Sequence, residues 1–206
     1  MQWNTLATDK SIKKTVAALK DANIESVIVE TGAEAKKKIL EMIPKKAEVM
    51  QMTSITLDTI GVSQEINESG KYDSVRNKLY KLDRNTQHKE MQQLGAAPDW
   101  SIGSVHAITE DGKVLIASNT GSQLPGYVYG SSHVIWVVST QKIVKTLEDG
   151  MKRIYDYVLP LETKRARKAY GLPDTFHSNV SKLLIVNKEV APNRITIIFV
   201  KEKLGL

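Results

Sequence analysis

The fold is decided by residues 103–138, which read GSVHAITEDGKVLIASNTGSQLPGYVYGSSHVIWVV. Two apolar runs of β type, Ser104–Thr109 and Lys113–Ala117, flank Glu110-Asp111-Gly112. Asp-Gly between such runs is among the strongest short-range signals for a β-hairpin. A strongly apolar run, His133–Val138, comes later in the same stretch. The stretch therefore predicts a hairpin with a tight turn at residues 110–112, followed by a further strand.

A polar loop lies between the hairpin and that later strand. A loop of this kind can turn several backbone N–H groups and side-chain donors toward one point, which suits an anion or a carboxylate. The same residue types also form ordinary turns, because they tolerate unusual backbone angles. The loop residues that we predict to bind a ligand are Thr120, Gly121, Ser122 and Gln123.

Helices and strands alternate before this stretch. Apolar spacing predicts helices over Asp9–Asn23 and Ala33–Ile43, and strands over Ser26–Glu30 and Glu48–Met52. The second strand runs directly into two hydroxyl residues, Thr53 and Ser54, which can cap a short helix. The free N–H groups of that helix start favour an anion site, at the strand end where open α/β sheets usually bind ligands. The plainer interpretation is a well-capped helix.

The remaining segments complete the predicted element order. The polar segment 62–98 predicts a loop and one or two helices, which form either a solvated face or a mobile cover. An apolar stripe predicts a long helix from Thr140 to Pro160. Two strands, Leu183–Asn187 and Ile195–Lys201, are predicted to close the chain. Alternating strands and helices with late antiparallel additions indicate a three-layer α/β protein with a mixed sheet.

Length and composition restrict the class of protein. A chain of 206 residues can bury one sizeable core, so we expect a single domain over residues 1–206. Hydrophobic residues make up 41% and charged residues 25%, which is typical of a soluble globular protein. The absence of cysteine excludes disulfides and cysteine-ligated iron–sulfur clusters, and no tightly bound cofactor is expected. Without an apolar leader or an 18-residue apolar run, the sequence predicts a cytoplasmic protein that does not enter the membrane.

Charge and motifs narrow the function further. The net charge is +6, but the basic runs lie on predicted helices, where they usually form solvated faces, so nucleic acid is not an expected partner. No metal site is predicted, because no histidine has a partner at metal-motif spacing. His106 is the most suggestive histidine, since it lies on the hairpin near Glu110, although a structural role is the commoner one. The sequence contains no GxGxxG, P-loop or GxSxG motif.

Three motifs resemble the LUD domain, the lactate-utilisation protein C family. They are AxxEDGxVxxAS in the hairpin, TGSQLPG in the loop, and HVIWVVSTQKIV after it. Glu110 and Gly112 match the family hairpin, whereas Asp111 and Lys113 replace its threonines. In the loop, Gln123 replaces an arginine of the family, which removes a two-pronged anion contact. The chain is closest to the short, cysteine-free members.

The resemblance implies both a fold and a role. The implied fold is that of sugar-phosphate isomerases, coenzyme A transferases and formyltetrahydrofolate cyclo-ligases. The implied role is a component of lactate oxidation to pyruvate that has no cluster of its own and works with iron–sulfur partner subunits. Glu110 is the candidate catalytic residue. We also consider that the chain forms a homodimer.

Two other functions stay open. The chain is alternatively a free-standing enzyme or binding protein for a small anionic or phosphorylated metabolite, using Thr53, Ser54 and the loop at residues 120–123. Fold analogy alone supports this weakly, because one fold hosts many chemistries. A nucleic-acid or scaffold protein that uses the basic helices is the third interpretation.

Overall fold

A computed structural model of the protein describes residues 3–206 and contains two β-sheets with helices around them. The strands within these residues are β1 Glu25–Val29, β2 Glu48–Gln51, β3 Asp73–Ser74, β4 Trp100–Gly103, β5 Ala107–Thr109, β6 Val114–Ser118, β7 His133–Ser139, β8 Ile143–Val144, β9 Lys182–Val186 and β10 Ile195–Val200. The helices are α1 Asp9–Asp21, α2 Gly32–Met42, α3 Ile55–Thr59, α4 Val62–Glu68, α5 Val75–Tyr80, α6 His88–Ala96, α7 Leu147–Lys152 and α8 Leu159–Tyr170.

The larger sheet is parallel and has the strand order β1-β10-β7-β4-β2-β3. Its central strands, β7 and β10, are almost wholly apolar, and Ile197 of β10 lies beside Trp136 of β7. Strands with this composition are stable only where both faces are covered. The apolar residues of Gly103–Thr109 and of the final strand are buried, and Ala107, Ile108 and Ile197 have no exposed surface.

Helices cover both faces of the larger sheet and make the fold a three-layer α/β arrangement. Helices α2, α3 and α4 pack on one face, through residues such as Ile39 and Leu57. Helix α1 and the smaller sheet pack on the other face, through Leu19 and Ile108. Hydroxyl caps begin α1, α2 and α3, because Thr8, Thr31 and Ser54 each accept a hydrogen bond from a backbone N–H of the first turn.

The smaller sheet is mixed and has the strand order β8-β5-β6-β9. The predicted hairpin is confirmed, since β5 and β6 are antiparallel and the N–H of Gly112 bonds to the carbonyl of Thr109 at 2.9 Å. Gly112 has φ +87°, a left-handed conformation that side chains other than glycine rarely adopt. The two closing strands were predicted together, but β9 joins this sheet while β10 lies in the centre of the larger one.

The predicted helix start at Thr140 is wrong. Residues Thr140–Lys142 form a single 3₁₀ turn, and Ile143–Val144 is strand β8, which pairs with Ile108 and Thr109 of β5. The helical stretch begins at Leu147, after the cap Thr146. Ile143 satisfies a helical stripe and a short apolar strand equally well, so periodicity alone could not separate them.

From Leu147 the helical stretch runs through Pro160 to Tyr170. A π-helical segment, Arg153–Val158, precedes α8, which carries a proline in its first turn. Proline has no N–H to donate, so a change of hydrogen-bond pattern just before it is expected.

The segment after the polar loop is held by one buried ion pair. Arg194, at the start of β10, donates to the carbonyl oxygens of Gly126, Tyr127 and Ser131 at 2.8–3.1 Å. Its remaining nitrogen binds Glu189 at 2.7 Å, and both side chains are largely buried. The residues 126–131 are thereby fixed beside β4 and β7. Within residues 3–206, no helix combines the length and apolar character needed to span a bilayer.

The turn glycine gives a direct stability test. A Cβ at Gly112 would lie 3.0 Å from the backbone carbon of Ala18 in α1, whereas a Cβ at Gly70 would meet nothing within 4 Å. Both glycines have positive φ, so Gly70→Ala measures the backbone cost alone, on the order of 1–2 kcal/mol. We expect Gly112→Ala to lower the free energy of unfolding in urea by clearly more than Gly70→Ala. Equal losses would contradict the close approach of the hairpin to α1.

Candidate functional site

The candidate site lies at the carboxyl ends of three neighbouring parallel strands. Strands β2, β4 and β7 are adjacent in the larger sheet, so the chain leaves all three at the same edge. The segments that follow them are residues 52–56, 104–106 and 140–142. In open α/β sheets, ligands bind at this edge.

Lys142 connects these three segments through one buried amine. Its side chain is buried, and its Nζ donates to Ser104 Oγ at 3.0 Å, to the Val105 carbonyl at 3.1 Å and to Thr56 Oγ1 at 3.5 Å. Burial, and then the charge of Arg153, lowers the pKa of Lys142 to about 7. A neutral amine is therefore a major form of this side chain near physiological pH.

Arg153 lies beside Lys142 and is fully buried at the start of the π-helical segment. Its Nη1 donates to the carbonyl oxygen of His106. The preceding carbonyl in the chain, that of Val105, binds Lys142. The guanidinium carbon lies 5.3 Å from the ring centre of Tyr157. The Nε and Nη2 atoms are buried and have no hydrogen-bond partner within residues 3–206. Burial lowers the pKa of Arg153 to about 10, so it stays charged at neutral pH.

His106 contributes a neutral imidazole between the two cations. Its Nδ1 accepts a hydrogen bond of 3.1 Å from the N–H of Ala117 in β6. Burial, and then the charges of Lys142 and Arg153, lowers the pKa of His106 to about 3. The uncharged ring therefore links the residue before β5 to strand β6 by a hydrogen bond. This is the structural role that is common for such residues.

We refer to Lys142, Arg153 and His106 as the buried cationic cluster. The charged group that shifts the pKa of Lys142 is Arg153, and the one that shifts the pKa of Arg153 is the phenol of Tyr157; neither is a carboxylate. Backbone and hydroxyl oxygens are the acceptors that these two cations have within residues 3–206. Buried cations usually have a carboxylate partner, because removing a charge from water is costly.

The chain segment at residues 202–205 covers the amine. Gln141 Nε2 donates to the carbonyl of Leu204 at 3.1 Å, and Ser139 Oγ donates to that of Glu202 at 2.6 Å. A Cβ at Gly205 would lie 2.2 Å from Thr56 Oγ1 and 3.4 Å from Lys142 Nζ. Gly205 also has φ +68°, so glycine suits both the conformation and the close approach.

The predicted turn at Thr53 and Ser54 lies at this edge. Ser54 caps α3, which carries Thr56, the hydroxyl that contacts Lys142. Thr53 Oγ1 accepts a hydrogen bond of 3.2 Å from Arg76, whose Nε also binds the Gln51 carbonyl at 2.8 Å. Helix α5 therefore supplies a further cation next to the predicted hydroxyls.

The predicted loop at residues 120–123 follows β6 of the smaller sheet. Gly121 donates its N–H to Ser118 Oγ at 2.8 Å, and Ser122 donates its N–H to Thr120 Oγ1 at 3.3 Å. Gln123 binds Ser118 at 3.1 Å and the Ala117 carbonyl at 3.3 Å. These bonds stay within the loop and its strand, so the convergence of this loop with Thr53 and Ser54 on one cleft stays a prediction.

Glu110 lies at the hairpin turn and faces α1. Its carboxylate accepts hydrogen bonds from Ser11 Oγ at 2.7 Å and from Lys14 Nζ at 2.9 Å. These two contacts, Ser11 first, lower the pKa of Glu110 below its usual value. The arrangement fastens the hairpin to the helix, and the catalytic role of Glu110 stays a prediction.

Sequence reasoning did not single out the two cations of the cluster. A lysine between the apolar run of β7 and Ile143-Val144 is the available signal for Lys142, because lysine is seldom buried. Arg153 carries no such signal, since it stands among charged and aromatic residues of a helix. The sequence places His106 on the hairpin, but its closeness to two cations depends on the tertiary fold.

The fold and its polar edge define a three-layer α/β protein with a candidate ligand site at strand ends. Residues 12–200 match the sequence model of the LUD domain, so the chain belongs to the LUD domain family. A solved structure of a DUF162 family protein from Deinococcus radiodurans is similar in fold, with a TM-score of 0.57 and 12% identity. That similarity covers 95% of this chain and 99% of the other. Comparison with curated proteins gave no match.

Lys142 should make stability rise with pH above neutrality. The amine has its usual pKa of 10.5 in the unfolded chain, but burial lowers the pKa to about 7 in the folded protein. Between these two pKa values the unfolded chain binds more protons than the folded protein, so the free energy of unfolding rises with pH, by at most about 1.4 kcal/mol per pH unit. Below the folded pKa the amine is charged in both states, and the cost of burying that charge is complete. The unfolding free energy of the wild type, relative to Lys142→Met, should therefore increase between about pH 7 and about pH 9.

Lys145→Met is the matched control, because Lys145 is an exposed lysine three positions later. Urea unfolding of Lys145→Met over the same pH range gives the reference, since it removes the same charge from an exposed position. If the stability difference for Lys142→Met depends on pH no more than that for Lys145→Met, the amine of Lys142 is not buried as described.

Proposed function

We propose that the chain is a component of lactate utilisation that has no iron–sulfur cluster of its own and works beside iron–sulfur partner subunits. The observation that carries the proposal is the LUD domain match over residues 12–200. The absence of cysteine supports the division of labour, since the chain has no thiolate to hold a cluster. Electron transfer then belongs to the partners.

The polar edge supports a ligand-binding contribution from the chain. Lactate and pyruvate are small monocarboxylates, and such ions are bound in proteins by arginine, lysine and hydroxyl groups. Thr56, Ser104, Lys142 and Arg153 supply these groups close to the ends of β2, β4 and β7. A protein that binds a carboxylate for partner subunits needs no redox chemistry of its own.

A second candidate function is that of a free-standing enzyme or binding protein for a small anionic metabolite. The observation that favours it is the buried amine of Lys142, whose pKa is lowered to about 7. Lysines with lowered pKa values can act as bases or nucleophiles. Such a protein would act on its ligand without an iron–sulfur partner.

Growth on lactate tests the first function. We expect deletion of the gene in the source organism to abolish or strongly slow growth with lactate as the sole carbon source, while growth on glucose is unchanged. Complementation with the wild-type chain should restore growth, and affinity capture from lactate-grown cells should recover iron–sulfur proteins. Normal growth of the deletion strain on lactate would overturn the role in lactate utilisation and leave the free-standing function.

A further inference from the structure

We propose that the buried cationic cluster is a binding site for a small monocarboxylate, with the free edge of the Arg153 guanidinium as the group that recognises it. The site deepens the proposed function by naming a ligand class and a residue, and it rests on that function only for the choice of lactate and pyruvate as probes.

Two of the three guanidinium nitrogens of Arg153 are free within residues 3–206. Nη1 is used by the His106 carbonyl, whereas Nε and Nη2 are buried without a partner. The N–H bonds of Nε and Nη2 are parallel and form the side edge of the guanidinium, whose geometry matches the two oxygens of a carboxylate. Leaving a buried charged donor unpaired is costly, so the free edge favours an acceptor that the chain itself does not provide.

The charge of the cluster also favours an anion. Arg153 and Lys142 bind the adjacent carbonyls of His106 and Val105, and the charge of Arg153 helps to lower the pKa of Lys142. His106 is neutral at physiological pH, so the cluster carries between one and two positive charges. With Lys142 neutral, a single carboxylate balances the charge of Arg153, whereas a phosphate dianion would add more negative charge than Arg153 alone offsets. The charge therefore favours a monocarboxylate over a phosphate.

A further unpaired hydroxyl and the burial of the cations also describe the site. Thr140, two positions before Lys142, buries a hydroxyl oxygen that also has no partner. Ser104 and His106 keep partial exposure, whereas Lys142 and Arg153 are buried. The cations themselves are buried, so a ligand that reaches them has to be small.

Isothermal titration and thermal unfolding with sodium acetate, lactate and pyruvate test the proposal, with sodium chloride at equal ionic strength as the reference. We expect the carboxylates to bind and to raise the melting temperature, because a ligand that binds only the folded state stabilises it. Arg153→Lys keeps the charge but loses the two-pronged edge, so carboxylate affinity should fall by about tenfold or more.

Arg165→Lys is the matched control, because Arg165 lies in the following helix and binds Glu162 with both of its side-edge nitrogens. This variant should bind carboxylates as the wild type does. An equal loss in both variants would overturn the proposal, and so would equal stabilisation by chloride or tighter binding of inorganic phosphate.

A measurement on the wild type covers the case in which Arg153→Lys does not fold. In ¹⁵N NMR spectra, the buried Nε–H of Arg153 should shift and exchange more slowly with solvent when acetate is added. An unchanged signal at saturating acetate would overturn the proposal. These readouts are independent of growth on lactate, so a failed growth test with intact carboxylate binding rejects the pathway and keeps the site.

Discussion

Strands β7 and β10 are covered on both faces, and the rest of the structure is arranged to provide that cover. Alternate residues of β7 enter different cores, with Trp136 on the side of α1 and the hairpin and Ile135 on the side of α2 to α4. Because the middle of such a sheet contains no water, polar chemistry is restricted to the strand ends. The hydroxyls and the amine at the carboxyl edge follow from this constraint.

The smaller sheet covers the core on one face of the larger sheet, and the chain that leads into it forms one side of the site. Its strands β5 and β6 contribute Ile108, Val114 and Ile116 to the core beneath the larger sheet. The chain between β4 and β5 then passes the edge, where the carbonyls of Val105 and His106 meet Lys142 and Arg153. The same short connection therefore joins the two sheets and holds two cations.

Burying two cations without a carboxylate is a costly way to hold strand ends together. Carbonyl and hydroxyl oxygens offset part of the desolvation, and the lowered pKa of Lys142 offsets more, because the amine can lose its charge. Arg153 has no such relief, since its pKa stays near 10. The two cations therefore cost stability, and no carboxylate within residues 3–206 offsets this cost.

The sequence by itself determined the α/β class, most strand positions and the hairpin, because apolar periodicity and the Asp-Gly turn are local signals. It also marked Thr53 and Ser54 as a strand-to-helix turn, and the motifs around Gly112 and Gly121 indicated the LUD domain. Only the tertiary structure decided that β9 and β10 belong to different sheets and that Ile143 begins a strand. These outcomes depend on pairing between distant segments, which local periodicity does not encode.

The cluster is the clearest case of this division. Lys142 and Arg153 are eleven positions apart, with a strand, a turn and a helix between them, and no sequence signal connects the two. They come together because β8 pairs with β5 and turns the following helix back over the hairpin. The burial that lowers their pKa values is a property of packing on both sides, and it therefore exists only in the folded chain.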